Sequence, residues 1–268
     1  MKRILTFATA TILLVACSRN AITGRKQLSL YPESEIQAAA QQQYRQFLSE
    51  NRVLSANSSR DAEMVRRVGN RIASAITSYY TNKGLGAELE GYQWEYNLVE
   101  SKEVNAWCMP GGKIVVYSGL LPITQNEAAL AVVMGHEITH AIAKHGNERM
   151  SQGMLQQLGG AALSVALANQ PTQTQNLLMA AYGAGSTVGI LLPFSRNQEY
   201  EADKLGLIYT AMAGYNPREA IGLWQRMEAA SGGNRPPEFL STHPNEGNRI
   251  KRLQGYMPEA MKYYRPMR

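Results

Sequence analysis

The sequence HEITH, from His136 to His140, is the stretch that decides how this chain folds and what it can bind. Positions four apart on an α-helix lie nearly one above the other, so both imidazoles can face a single metal ion. Glu137 stands beside them and is the residue type that serves as general base next to such an ion. The pattern predicts two metal ligands and a base on one helix. The alternative is a core helix whose histidines are satisfied by hydrogen bonds.

The residues around HEITH favour the metal site. The run AALAVVMGHEITHAIA is apolar on nearly every face, which predicts a helix buried at the centre of the protein. Thr124 and Glu127, three positions apart before this run, predict a capping box at its start. Burying two histidines and a glutamate there is costly unless each finds a hydrogen-bond partner or a metal.

The N-terminal sequence MKRILTFATATILLVAC predicts a secretory signal over residues 1–16. Its apolar stretch, Ile4 to Leu14, is too short to span a membrane. The residues LVAC resemble a bacterial lipobox, which predicts acyl chains on Cys17 and an extracytoplasmic, lipid-anchored mature chain of residues 17–268. The alternative is an ordinary cleaved signal that happens to precede Cys17.

Composition sets the broad class of the protein. The formal charge of +6 is scattered, without the basic runs or aromatic stripes of nucleic-acid binders, so we expect no nucleic-acid partner. With 44% hydrophobic residues, the 268-residue chain can bury one core, and we predict a single domain over 17–268. The alternative is one core with an added helical subdomain. If Cys17 is lipidated, Cys108 has no cysteine to pair with and is predicted to be a free, partly buried thiol.

Periodicity predicts an α+β fold that is mostly helical. Helices are expected from Pro32 to about Glu50 and again from residue 58 or 59. Strand-like segments begin at Tyr92 and Lys113, with VNAWCM between them. The sequence therefore predicts a small sheet immediately before the HEITH helix.

A long uncharged region follows that helix, since no residue between Arg149 and Arg196 carries a charge. Glutamines, glycines and the cluster PTQTQN break every apolar window before it reaches the length of a membrane span. We predict closely packed helices with a loop near Pro171. The alternatives are a mobile flap over the active site or a surface that rests on lipid.

A catalytic zinc needs a third protein ligand. His145 lies nine positions after His136, which on a continuous helix is the opposite side, so we predict a structural or surface role for it. Glu199 and Asp203 are four apart and share a helix face. Glu199 can complete the site while Asp203 accepts the second ring N–H of a ligating histidine. The alternative is an acidic helix with solvated charges.

HEITH followed by EYEAD resembles the gluzincin family of the CAAX prenyl endopeptidases, the mitochondrial Oma-type protease and the bacterial periplasmic BepA/LoiP-type peptidases. The stretches VNAWCMPGGKIVVYSGLL, LLPFSRNQEYEAD and FLSTHPNEGNRI agree with it as well. The resemblance implies a zincin-like metallopeptidase domain, in a lipoprotein member without tetratricopeptide repeats. It implies one Zn²⁺ held by His136, His140 and Glu199, with Glu137 as base and Asp203 behind the ligands.

The same resemblance implies roles for four further residues. Asn105 and Ala106 would lie along the substrate backbone on an edge strand, and Arg249 would be a second polar group lining the site. His243 would approach the zinc, either to donate to the developing oxyanion or to occupy the fourth zinc position and keep the enzyme latent. The alternative is a turn histidine before a proline.

These observations together predict a zinc metalloendopeptidase that acts on protein or peptide substrates of the cell envelope, in protein quality control. We expect it at the periplasmic face of the bacterial outer membrane. The alternative from another class is a non-proteolytic assembly or chaperone factor with a latent or structural zinc site and envelope assembly partners. A zinc-dependent esterase or amidase is a third possibility that the ligands alone do not exclude.

Overall fold

A computed structural model describes residues 17–186, 192–230, 238–243 and 248–266. The predicted signal, residues 1–16, and the proline after His243 lie outside these ranges. Helices predominate in the described chain, and 3₁₀ turns occur at Gly86–Leu89 and Ser118–Leu120. In chain order the helices are α1 (Glu33–Glu50), α2 (Arg60–Asn82), α3 (Leu121–Thr124), α4 (Glu127–Ile142), α5 (His145–Ala166), α6 (Thr172–Ser186), α7 (Leu192–Met212), α8 (Glu219–Ala230), α9 (Glu238–Thr242) and α10 (Arg249–Met261).

The strands form a two-stranded and a four-stranded sheet, which confirms the α+β, mostly helical class. The strands are β1 (Cys17–Arg19), β2 (Lys26–Leu28), β3 (Val53–Leu54), β4 (Glu95–Val99), β5 (Ala106–Met109) and β6 (Lys113–Tyr117). All segments predicted as strands contain one, although β4 begins three residues after the predicted start at Tyr92.

The chain divides into two compact units. The smaller unit contains the described residues through Ile36 together with Lys144–Gln198, and the larger contains Gln37–Ala143 together with Glu199–Arg268. Helices α1 and α7 each contribute residues to both units.

In the larger unit the four-stranded sheet has the order β3-β4-β6-β5, so β5 is an edge strand. Strands β4 and β6 are parallel, whereas β3 and β5 pair antiparallel with their neighbours. The central strand β6 contains a continuous apolar run, Ile114 to Val116, and these residues are fully buried. Helix α1 packs Tyr44 against Val99 and Val115 of the sheet.

Helix α4, which carries HEITH, is buried along almost its whole length. Every residue from Ala129 to Ile142 is buried, which confirms the prediction of a central helix. It packs against β5 and α2. The edge strand and the two histidines are therefore held in one core.

The predicted capping box at the start of α4 is wrong. The N-cap is Asn126, whose side chain accepts from the backbone N–H of Ala129 at 2.8 Å. Thr124 lies two residues earlier, at the end of α3, where its hydroxyl donates to the carbonyl of Leu121, and the left-handed residue Gln125 follows it. Asparagine is at least as good an N-cap as threonine, and Asn126 stands two positions nearer to the helix, so it takes the place.

Helices α1 and α2 begin and end close to their predicted limits. Ser59 caps α2 by accepting from the backbone N–H of Ala62 at 3.2 Å, and α1 begins one residue after Pro32. After α2 the chain turns at Gly84, which adopts a positive φ that favours glycine.

In the smaller unit a short hairpin joins the N-terminal segment to α5. Strands β1 and β2 pair antiparallel, and the turn between them is closed by Asn20, whose side chain accepts from the backbone of Ile22 and Thr23. Further along, the Leu30 N–H donates to the Ser151 hydroxyl on α5 at 2.9 Å. The segment after Cys17 is thereby tied to the first turns of α5.

The strongest of these ties is a buried ion pair. Arg25 donates to both carboxylate oxygens of Glu148 on α5, at 2.9 and 2.8 Å, and Gln198 donates to the same carboxylate at 2.8 Å. The Glu148 side chain is 1% exposed and that of Arg25 is 21% exposed. A buried carboxylate is stable only while such donors satisfy it.

Helices α5 and α6 form an antiparallel pair, and the chain between them turns at Gln170 and Pro171, as predicted. The Tyr182 hydroxyl donates to the carbonyl of Gln156 at 2.9 Å and lies against Gly159, where a side chain would collide with it. Within the described ranges no helix combines the length and the apolarity needed to cross a membrane.

Removing Arg25 tests the buried pair. We expect Arg25→Ala to lower the free energy of unfolding by about 2 kcal/mol, because it leaves the Glu148 carboxylate buried with one donor side chain. The matched control is Arg52→Ala, which breaks a pair with Glu100 whose side chains are 77% and 49% exposed and should cost less than about 0.5 kcal/mol. Urea denaturation measures both, and equal losses would contradict the assignment.

Candidate metal centre

Four side chains from three separate segments converge in the larger unit. His136 and His140 come from α4, Glu199 from α7, and His243 from the residue after α9. All four are buried, and one donor atom from each lies within 4.8 Å of the others. The structure thus brings together the two predicted histidines, the predicted glutamate and the histidine suggested by resemblance.

The spacing of these donor atoms fits a small divalent ion. The two Nε2 atoms of His136 and His140 lie 3.0 Å apart. The carboxylate oxygens of Glu199 lie 3.4 Å from the first and 3.3 Å from the second. Ligands bound at about 2.0–2.1 Å in a tetrahedron stand about 3.3 Å from one another. Nitrogen and carboxylate donors in this geometry are those that zinc accepts.

His243 contributes both of its ring nitrogens to the centre. Its Nδ1 lies 3.2 Å from the Nε2 of His136 and 3.1 Å from a Glu199 oxygen, so it completes a set of four donors. Its Nε2 lies 3.3 Å from an oxygen of Glu137, the predicted base. The ring also packs on Phe239, with centroids 4.6 Å apart. One imidazole therefore contacts the ligands and the base at once.

Asp203 and Arg249 lie behind the ligands. Asp203 Oδ1 is 3.1 Å from the Nδ1 of His136, which directs the other ring nitrogen towards the donor set. Arg249, which is fully buried, donates to the same Asp203 oxygen at 2.6 Å and to the His243 carbonyl at 3.3 Å. Its guanidinium rests 3.7 Å from the ring centroid of Trp224.

The local charge favours a cation at the centre. Burial alone would lower the pKa of His136, but its hydrogen bonds to Asp203 and Glu199 outweigh it and raise this pKa to about 9. Burial likewise opposes the ionised form of Glu199, yet the hydrogen bonds from His136 and His243 hold its pKa far below the usual range. Two ionised carboxylates thus surround the imidazoles, and the site holds either protons or a metal ion.

Two glycines allow α4 and α7 to approach closely enough for this geometry. A Cβ on Gly206 would lie 2.9 Å from the backbone nitrogen of His136, and one on Gly135 would lie 2.8 Å from the carbonyl oxygen of Gly206. The Thr210 hydroxyl spans the same crossing, at 3.0 Å from the carbonyl of Ala131. Only residues without a side chain fit where the helices cross.

Asn105 and Ala106 lie at the start of the edge strand β5, next to α4. The Asn105 carbonyl accepts from the Tyr117 N–H of β6 at 3.1 Å, and its side-chain oxygen accepts from the Ala106 N–H at 2.9 Å. Cys108 on the same strand is free and partly exposed, as predicted. Burial, with the nearby negative charge of Glu137, raises the pKa of its thiol well above the usual value, so it is not a thiolate nucleophile.

His145 does not lie on the HEITH helix, contrary to the premise of its prediction. Helix α4 ends at Ile142, Lys144 adopts a left-handed conformation, and His145 begins α5 in the smaller unit. His145 is fully buried and lies outside the four-donor set, as expected for a structural residue. The reason is that α4 ends before it, and not that it lies on the opposite side of one helix.

Three supporting residues escaped prediction from sequence. Trp224 carries the guanidinium of Arg249, Phe239 carries the ring of His243, and Gly206 permits the helix crossing. Of the three, only Gly206 could have been identified from the sequence, because it lies three positions after Asp203 on the same helix. The two aromatic residues sit in segments whose spacing resembles that of ordinary core helices.

Comparison with known proteins places the chain among metallopeptidases. The family described as "Peptidase family M48" matches residues 59–257. The mitochondrial metalloendopeptidase OMA1 of Arabidopsis thaliana is 38% identical over 181 residues, covering 67% of this chain and 35% of the relative. The human OMA1 is 29% identical, covering 90% of this chain and 46% of the relative.

A bacterial relative is the beta-barrel assembly-enhancing protease of Escherichia coli strain K12. It is 30% identical over 165 residues, which cover 59% of this chain and 33% of the relative. The chain thus spans between a third and a half of the length of these curated relatives.

The glycine at the helix crossing provides a test of the site. We expect Gly206→Ala to weaken zinc binding by about tenfold or more, since its methyl group pushes α7 and Glu199 away from the histidines. Competition with a chromophoric chelator measures the affinity. The control is Gly153→Ala on α5, where no atom lies within 4 Å of the new methyl group. Wild-type zinc affinity in a folded Gly206→Ala protein would contradict the role of the crossing.

Proposed function

The chain belongs to peptidase family M48, and on that premise we propose that it is a zinc-dependent endopeptidase that hydrolyses proteins of the cell envelope. The observation that carries the proposal is the meeting of His136, His140 and Glu199 around one point, with Glu137 one position along the same helix. Zinc, when bound there, supplies a Lewis acid that acidifies water and polarises a peptide carbonyl.

In this proposal Glu137 is the general base. Its carboxylate lies at the edge of the donor set, takes a proton from the attacking water and passes it to the leaving amine. Asp203 and Arg249 act as positioning residues. Asp203 fixes the tautomer and the ring plane of His136, and Arg249 holds Asp203 and the backbone of His243 together. In this proposal Arg249 supports the ligands from behind and does not contact the substrate.

The substrate site is proposed to be the edge of β5 that faces away from β6. The Tyr117 N–H bonds to the Asn105 carbonyl, and hydrogen-bonded pairs alternate along an antiparallel ladder. The backbone groups of Ala106 and Cys108 therefore point away from β6. An extended peptide can add to this edge as a further strand, beside the helix that carries the base.

We propose that His243 keeps the enzyme latent at rest. Its Nδ1 occupies the position of a fourth donor, and its Nε2 approaches Glu137, so the place of the attacking water and the base are both engaged. The segment before it is also tied to the edge strand, because the Phe239 N–H donates to the Val104 carbonyl at 3.0 Å. A substrate strand that pairs with β5 would compete with this bond and release His243.

The proposed place of action is the periplasmic face of the outer membrane, with an acyl anchor at Cys17. The lipobox-like LVAC supports the anchor. The name of the Escherichia coli relative, beta-barrel assembly-enhancing protease, supports substrates and assembly partners of the envelope. Quality control of proteins in that compartment is the role that fits both.

A second candidate function is a non-proteolytic assembly factor with a structural zinc. The four-donor set favours it, because closed sites with four protein ligands are usually structural. The two candidates differ in whether Glu137 does chemistry, which substitution can decide.

Glu137→Gln separates the two functions. As a peptidase, the variant should retain zinc and lose at least about a hundredfold in the rate of casein cleavage, because the amide cannot take the proton. Metal analysis and a fluorescent casein assay measure the two quantities. Glu100→Gln, at an exposed glutamate directly after β4, serves as the control. Cleavage by Glu137→Gln at the wild-type rate would refute the assignment of the base.

His243→Ala tests latency. We expect faster casein cleavage with zinc retained by the remaining three ligands, since the fourth position and Glu137 are both released. The control is Thr242→Ala at the exposed neighbouring position, which should leave the rate unchanged. A large fall in rate with zinc retained would instead assign His243 to the oxyanion.

A further inference from the structure

The helical hairpin α5–α6 exposes large apolar side chains to an unusual degree. Val165 is 77% exposed and Leu177 is 69% exposed. Isolated apolar residues on a surface need no explanation, but a cluster of them marks an interaction site. The exposed set on the two helices comprises Met150, Met154, Leu155, Leu158, Val165, Leu177 and Leu178.

Part of the contact between the two helices is made by Gly159 and Gly160 against Tyr182 and by a hydrogen bond of 2.7 Å from Gln156 to Ser186. The apolar side chains of the exposed set keep between 39% and 77% of their surface accessible. Since no charged residue lies between Arg149 and Arg196, the exposed side chains of the hairpin after Arg149 are uncharged.

The N-terminus of the described chain belongs to the same compact unit as this hairpin. Residues 1–16 are predominantly apolar and directly precede Cys17, which begins β1. Strand β1 pairs with β2, and β2 packs against α5. An acyl group on Cys17, or an uncleaved apolar leader, would bring a bilayer to the unit that carries the exposed leucines.

Charge complements this arrangement. The described part of the smaller unit contains six basic and three acidic residues, a net charge of +3. Arg19, Lys26, Arg149 and Arg196 are all exposed, and the last two flank the uncharged region. Basic residues beside an apolar face are the composition of segments that lie in the interface of anionic membranes.

We propose that the α5–α6 hairpin is a second, non-covalent membrane contact, with its leucines and methionines at the acyl boundary and the flanking arginines among anionic headgroups. Neither helix spans the bilayer. One acyl-bearing residue fixes only a point, whereas a hairpin lying in the interface also fixes the orientation of its unit. The inference rests on the proposed anchoring at Cys17 and is independent of the proposed peptidase activity.

Lipid-quenching fluorescence tests the contact on the full chain in vesicles of phosphatidylethanolamine and phosphatidylglycerol. In a Cys108→Ser background, Leu158→Cys or Leu177→Cys carries a polarity-sensitive dye. The control is Gln42→Cys, an exposed polar position on α1 in the larger unit. With a nitroxide on the lipid acyl chain, we expect about half of the dye emission to be lost at positions 158 and 177 and little at position 42.

Three outcomes would overturn the proposal. Protein that floats with the vesicles but is unquenched at 158 and 177 is anchored through Cys17 alone. A blue shift that follows protein concentration without vesicles means that a second copy covers the face. A shift that requires unfolded casein means that the face binds protein. Protein that does not float refutes the anchoring itself, while casein cleavage measured on the same sample reports separately on the proposed activity.

Discussion

The structure depends on one constraint, which is that buried lone pairs need a positive charge. Three imidazole nitrogens and a carboxylate lie within 3.4 Å of their neighbours in a core without bulk water. Such a group is unstable unless protons or a metal ion neutralise it. Because a divalent ion bonds to all the donors at once, it replaces several competing hydrogen bonds with one coordination sphere. If a metal binds there, folding of this region and binding of the metal would be linked.

The predicted ligands are held in position by specific contacts of the residues around them. A single guanidinium, that of Arg249, contacts the carboxylate of Asp203, the carbonyl of His243 and the face of Trp224. Its α10 is thereby joined to α7, which also supplies Glu199, and to the segment that supplies His243. The helix crossing at Gly206 adds a steric limit, since it fixes how close α7 comes to α4. The predicted ligands, which come from distant parts of the sequence, are held in register by contacts outside the donor set.

The smaller unit also buries a charged group, but it neutralises this group in a different way. Its buried carboxylate, Glu148, is neutralised by Arg25 and hydrogen-bonded by Gln198, so no metal is needed. The partner comes from the segment that follows Cys17, and this segment is therefore tied into the unit. The apolar side chains that other helices bury are here on the outside, which is the feature that a membrane surface would accommodate.

The sequence by itself determined the local chemistry of this protein. The i, i+4 spacing predicts that His136 shares a helix face with His140 and that Glu199 shares one with Asp203. Hydropathy predicts that the helix carrying HEITH is buried. Only the tertiary structure decided that Glu199 reaches the histidines, that His243 completes the donor set and contacts Glu137, and that α4 ends before His145. Sequence spacing is informative only within one helix or strand. The results above depend on how closely two helices cross and on which residue caps a helix. The distances between helices are fixed by packing between residues far apart in the chain.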